Sequence, residues 1–191
     1  MILETFPYAV GLCTYVIFIL VRIFKVFIFK KKPYPIEKSI FILATFVYFS
    51  GLISVTIFPI PVDQKLIEDT ISGGFYEKNN FIPFNSIINT FSTGFISTII
   101  TQIGGNLILL FPFGFLLPLI IENFKSLKRI IFLGFLTSLL IETLQFTLSL
   151  WIGFTYRSFD VDDLLLNTIG SVIGFLTFKL IYPILKKYAF S

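Results

Sequence analysis

Histidine is absent from this 191-residue chain, and cysteine occurs once, at Cys13. These two shortages remove whole classes of chemistry. A Ser-His-Asp triad, a histidine general base and the usual zinc site of Cys and His ligands are all excluded. A single cysteine also rules out a disulfide within the chain. Charge is scarce as well: 14% of residues carry one, against about 25% in a soluble domain. So few polar side chains cannot cover a globule in water.

What fills the chain is apolar. Hydrophobic residues make up 55%, and the mean hydropathy is +0.91. Apolar runs of about 20 residues recur, the length needed to cross about 30 Å of hydrocarbon. The reading is an all-α fold, a polytopic transmembrane helical bundle of five spans: Phe6–Phe29, Ile40–Ile60, Thr98–Ile121, Ile130–Leu150 and Leu164–Leu185. Turn residues and charges punctuate the connections, as in "KKKPYP", "FPIPVD" and "ENFKSLKR". No internal repeat is visible, so residues 1–191 form one domain. The first span follows Glu4 with no Lys or Arg ahead of it and is too long for a signal-peptide core, so it is expected to stay as an anchor.

Loop charge gives an orientation. The net charge is +5 over Arg22–Lys38, −2 over Asp63–Lys78, +2 over Glu122–Arg129, −2 over Trp151–Asp163 and +3 in the tail from Lys179. Basic loops stay inside, so the N-terminus is expected outside and the C-terminus inside. The basic hairpin would then face an anionic inner leaflet. The pI near 9.1 reports topology, and no nucleic-acid partner is expected.

The polar residues within the spans are patterned. Ser138, Glu142, Gln145 and Ser149 share one helix face in the fourth span. Asp163, Asn167, Gly170 and Gly174 repeat that spacing in the fifth, and Gln102 and Asn106 lie four apart in the third. At about 1.5 Å per residue, Glu142 lies roughly 13 Å in from Trp151, Asn106 roughly 12 Å in from Thr98 and Asn167 about 7 Å in from Asp162. Arg157, Asp160 and Asp162 sit in the loop above. The expectation is a polar pocket between the third, fourth and fifth spans, opening outward.

Each feature also has a plainer reading. An acid within a span costs about 2.5–3.5 kcal/mol on insertion scales, so Glu142 needs protonation or a partner. Gln145, Asn106, Asn167 and Arg157 are the partners on offer, and a helix-packing hydrogen bond is the ordinary alternative. Asp160, Asp162 and Asp163 could simply cap a helix start. Three carboxylates beside Arg157 leave room for a cation held by oxygens, or for a phosphate or carboxylate gripped by the guanidinium. D-x-D-D matches no calcium-loop spacing, so no metal and no cofactor is assigned. Gly170 and Gly174 read as a close helix contact. Pro112 deprives the Ile108 carbonyl of its helical donor and should kink the third span. The outer stretch "NNFIPFNSIINTFSTGF" suggests an interfacial segment with a short helix near Asn85–Phe91.

Three stretches, "GGNLILLFPFGFLLP", "SLLIETLQF" and "RSFDVDDLLLNTIGSVIGF", resemble in order the signature blocks of the VanZ-like family of membrane proteins, and "NFIPFNSI" resembles a fourth. The resemblance runs from Asn80 to Phe175. It implies a small multi-pass protein of the bacterial cell membrane, linked to resistance against glycopeptides and teicoplanin-like lipoglycopeptides. The family's polar positions correspond to Asn106, Pro112, Gly114, Glu142, Gln145, Arg157, Asp160, Asp162, Asp163, Asn167 and Gly170. The partners expected are membrane lipids, with a lipid-linked cell-wall precursor or a lipoglycopeptide as ligand. The favoured expectation is a protein that binds or alters an envelope component. An intramembrane enzyme acting on a lipid or lipid-linked phosphate, with Glu142 as acid or base, is the alternative. A transporter or flippase subunit is less favoured, because five spans without inverted repeats do not make the usual two halves.

Overall fold

Hydrocarbon offers the backbone no hydrogen-bond partner, so a chain of this composition must close its N–H and C=O groups within helices. The computed structural model, which describes residues 2–30, 35–74 and 78–189, is built in that way. The helices are α1 (Phe6–Phe29), α2 (Ile36–Ile57), α3 (Gln64–Gly73), α4 (Asn85–Ser92), α5 (Ile96–Ile99), α6 (Gly105–Leu109), α7 (Phe111–Ile120), α8 (Leu127–Ile152) and α9 (Val161–Ala189). A π-helical turn, Ile100–Gly104, joins α5 to α6, and a 3-10 turn, Glu122–Phe124, follows α7. Among the described residues, five stretches are long and apolar enough to cross a membrane: Phe6–Phe29, Lys38–Ile57, Ile96–Ile120, Leu127–Ile152 and Val161–Lys186. They are the five expected spans, with ends moved by a few residues. Residues 31–34 of the "KKKPYP" turn and 75–77 of the longest connection lie outside the described residues.

Local chemistry sets the breaks. The second span was expected to reach Ile60 but ends at Ile57, because Pro59 and Pro61 cannot donate to a continuing helix. The third span kinks where Pro112 demands. Leu110 leaves the helical region at φ −102° and ψ 7°, and α7 starts afresh with the proline in its first turn, where its missing N–H costs nothing. The Leu109 carbonyl at this break accepts from the Tyr48 hydroxyl of α2 at 2.9 Å. The expected interfacial helix is α4, while α3, capped by the Asp63 carboxylate on Lys65 and Leu66 N–H, was not anticipated.

α9 is the centre of the bundle, packed on α6, α7 and α8. The contact is close because glycine makes it so. A Cβ on Gly170 would stand 2.0 Å from the Leu107 carbonyl oxygen, and one on Gly174 2.0 Å from that of Phe111. Gly114 of α7 and Gly134 of α8 press against Ser171 from two sides. Backbone contact of this kind replaces the hydrophobic drive that lipid removes. Leu116, Leu119, Ile130, Phe175 and Phe178 fill one end of the interior, and Leu52, Leu110, Phe113 and Ile141 the middle. α1 packs chiefly on α2, with Gly11 against Ser50. Lys125, between α7 and α8, donates to Tyr182 Oη at 3.0 Å and Glu122 Oε1 at 3.1 Å; the tyrosine hydroxyl, more than the carboxylate, holds its ammonium above the usual lysine range.

Gly174→Ala should therefore destabilise the bundle by about 1–3 kcal/mol, the usual result of overpacking. Gly105→Ala, where a Cβ meets nothing within 4 Å, should be neutral or slightly stabilising. Thermal unfolding of the two variants in detergent checks the contrast, and equal midpoints would contradict it.

Candidate functional site

The site grows out of one problem, the loop Gly153–Asp160 that carries the chain from α8 into α9. α8 ends on Gly153 in a left-handed conformation at φ 95°, and the loop folds back over the helix end. Ser149 Oγ fixes it, donating to the Arg157 carbonyl at 2.7 Å and accepting from the Arg157 N–H at 3.2 Å. About two turns deeper, Glu142 Oε2 accepts the Asp160 N–H at 2.9 Å. Glu142 is only 2% exposed, so its carboxyl is a buried post to which the loop is tied. Tyr156 donates its hydroxyl to the Ile57 and Pro59 carbonyls, and Arg157 Nη2 donates to those of Val55 at 3.2 Å and Phe58 at 2.9 Å. Those of Val55 and Ile57 belong to the last turn of α2, where the helix leaves carbonyls without donors, and those of Phe58 and Pro59 follow directly after it.

The three aspartates then divide the helix ends among themselves. Asp160 Oδ1 accepts the Asp162 N–H at 2.8 Å, capping α9, and also Asn80 Nδ2 at 2.8 Å. Asn80 pairs with the loop through its backbone as well, N–H to the Phe159 carbonyl and carbonyl to the Val161 N–H. Asp162 is fully buried and accepts from the Phe84 and Ile87 N–H groups, so it caps α4 from another part of the chain. Phe84, at the head of α4, is left-handed at φ 66° and offers no side-chain cap of its own. Asp163 takes the Asn106 side-chain amide. Behind it, Asn167 donates to Ser138 Oγ at 2.9 Å, leaving its own oxygen buried without a partner.

Two adjoining cavities result. One, of about 300 Å³, is lined by Asn106, Glu142, Gln145, Arg157 and Asp163 together with Val55 and Thr56 of α2. The other, of about 380 Å³, lies between α4, the π-helical turn and α9, with Lys78, Ser86, Thr90, Gln102, Asp160 and Asp162 in its wall. Asn106 and Asp163 border both. The π-turn sets Thr101 and Gln102 towards this space, and Gln102 Oε1 accepts from Thr90 Oγ1 of α4 at 2.6 Å. Two apolar grooves between α1 and α2 carry no such polar groups apart from Arg22 and a few hydroxyls.

Seven of the eight residues expected at the site border these cavities; Asn167 does not, packing instead one turn behind Asp163. The expected partners of Glu142 also differ. Instead of Gln145, Asn106, Asn167 or Arg157, its hydrogen bond comes from the Asp160 backbone. Gln145 turns away to the Thr56 carbonyl at 2.9 Å, and Arg157 gives Nη2 to carbonyls while its Nε is buried without a partner. Asp162, expected in the loop above the pocket, is buried in the first turn of α9, with its carboxyl oxygens on the N–H groups of α4. Among the described residues no three carboxyl groups converge as metal ligands would. Thr56 and Asn79 were missed. Asn79 Oδ1 accepts the Phe159 N–H at 2.8 Å, and the doubled asparagine before "FIPF" was its available signal. A hydroxyl on an apolar helix gives none.

A sequence model of the family described as VanZ/LLP1 matches residues 41–182. No curated protein and no solved structure matches the chain. The matched region starts in α2 and ends in α9, so it contains the whole wall of both cavities and leaves α1 outside.

Asp162→Ala should unseat α4. Each hydrogen bond to a charged group contributes about 1.5–3 kcal/mol, and two are lost. The expected result is a lowered unfolding midpoint with new protease cleavage between Phe84 and Phe95, whereas Asp69→Ala on exposed α3 leaves both unchanged. Intact protection of that segment in Asp162→Ala would refute the capping role.

Proposed function

The chain belongs to the VanZ/LLP1 family, and from that premise we propose that it acts in the bacterial cell membrane to reduce the action of glycopeptides and lipoglycopeptides of the teicoplanin type. It does so by binding or altering a lipid-linked envelope component, or the drug itself, in the paired polar cavities. The observation that carries this reading is the convergence of Asn106, Glu142, Gln145, Arg157 and Asp163 around a common space of about 300 Å³ within the span region. An intramembrane acid is costly and tends to be retained for function. The alternating loop charges support an orientation with the cavities facing outward, the N-terminus outside and the C-terminus inside. That is the leaflet at which such drugs meet their target.

The enzyme alternative draws on the same geometry. Arg157 gives Nη2 to two carbonyls but has its Nε buried without a partner beside the cavity, and Glu142 accepts the Asp160 N–H through Oε2. Asn106→Ala removes a side chain that borders both cavities while leaving every loop fastening in place, which makes it a cleaner probe than Glu142.

In a Gram-positive host at matched membrane levels, wild type should lower lipoglycopeptide susceptibility. Asn106→Ala and Glu142→Ala should return it to that of the host without the protein. Unchanged susceptibility with wild type would sink the resistance reading, and comparison of membrane lipids would then be the informative assay.

A further inference from the structure

The two halves of the third span behave differently. Its second half, α6 and α7, lies backbone to backbone on α9 through Gly170 and Gly174. Its first half, α5 with the π-turn, packs chiefly on α4 and on itself and stands off from α9. The cavity of about 380 Å³ is the wedge between them. Asn106 and Asp163 close its narrow end, where the helices meet. Its wide end is bridged by α4, through Thr90 to Gln102 and through Asp162 to the head of α4.

The surroundings of that wide end are apolar. Ile88 and Phe91 of α4, Phe95, Ile96 and Ile100 are all exposed and follow one another along the rim. Asn85, Asn89 and Ser92 occupy another flank of α4, so the helix has the two-sided pattern of one lying flat at a membrane interface. It joins α5 through Gly94, which is left-handed at φ 70° with nothing near its missing side chain. A polar wedge between two spans, beside an apolar rim at the level of the lipid, fits a molecule that is itself divided in that way.

We propose that this wedge is a lateral entrance for a membrane amphiphile: the polar head enters between the π-turn and α9 while the chains stay in the bilayer, and α4 is the latch. The proposal deepens the functional reading above and rests on its placing the ligand site in these cavities. It names the ligand class as lipid and the route as sideways. The first step of entry is release of Thr90 from Gln102, and the head of α4 then parts from Asp162 as the helix turns about Gly94.

The test uses full-length protein in phosphatidylcholine vesicles, with Cys13→Ser as background and a single new thiol at Ser86, whose side chain lines the wedge. Two reagents compete, a phospholipid bearing maleimide on its headgroup and a sulfonated maleimide confined to water. Asp69→Cys on exposed α3 sets the ratio of the two rates at a water-facing position, and Ile173→Cys sets it at a lipid-facing one. At Ser86→Cys the lipid reagent should win several-fold relative to its standing at Asp69→Cys, and adding Thr90→Ala should raise the lipid rate several-fold again. A ratio equal to that at Asp69→Cys would make the wedge an aqueous vestibule and overturn the proposal. Absence of lipid labelling, even with Thr90→Ala, would overturn it too. Because the readout involves no drug, a failed resistance experiment leaves this result standing, and the reverse also holds.

Discussion

A helix that stops in or beside a bilayer leaves N–H and C=O groups that lipid cannot satisfy, and this structure is organised around supplying them. The carboxylates at the entrance of α9 are the supply. Asp160 caps α9, Asp162 caps α4 at long range, and Glu142 receives the N–H of Asp160 from within the bundle. Arg157 and Tyr156 do the converse for the carbonyls at the end of α2. A carboxyl group bonded to the backbone is no longer an anomaly in hydrocarbon. It fastens a loop that is also held by the ring of Phe159 against Phe81 and Phe146.

That arrangement also explains why there is open space where the rest of the bundle is tight. Glycine lets α9 touch α6, α7 and α8 along its middle, so the close contact is a property of small side chains at fixed positions. Above Gly170 the backbone contact gives way to side-chain hydrogen bonds, Asn167 to Ser138 and Asn106 to Asp163, since these residues are too large for it and too polar to be pressed into lipid. The helices part, the π-turn widens the third span, and the polar groups line what remains. Stability and site thus share residues: Asp163 stands at once at the helix start, at the closing point of the wedge and on the wall of both cavities.

The function proposed follows from this economy of polar groups. Side chains committed to the backbone, such as Asp162 and Arg157, make the frame. Those that face cavity space with fewer obligations, Asn106 above all, are where a ligand would be recognised. The matched family region encloses frame and cavity together, while α1 and its apolar grooves fall outside it.

The sequence by itself determined the membrane class, the five spans, the break at Pro112 and the faces on which Glu142, Gln145, Asn106 and Asp163 lie. Each of these is local: a run length, a missing N–H, or a periodicity of 3.6 residues. It could also place α4, because alternating apolar and amide residues are an interfacial pattern within a few turns. Only the tertiary structure decided what the polar side chains meet. Glu142 to Asp160, Asp162 to Phe84 and Ile87, Gln145 to Thr56 and Asn80 to Asp160 join segments separated by 18 to 89 positions. Their partners are in most cases backbone groups, which every residue carries alike and which no pattern of side chains can reveal until the chain has folded around them.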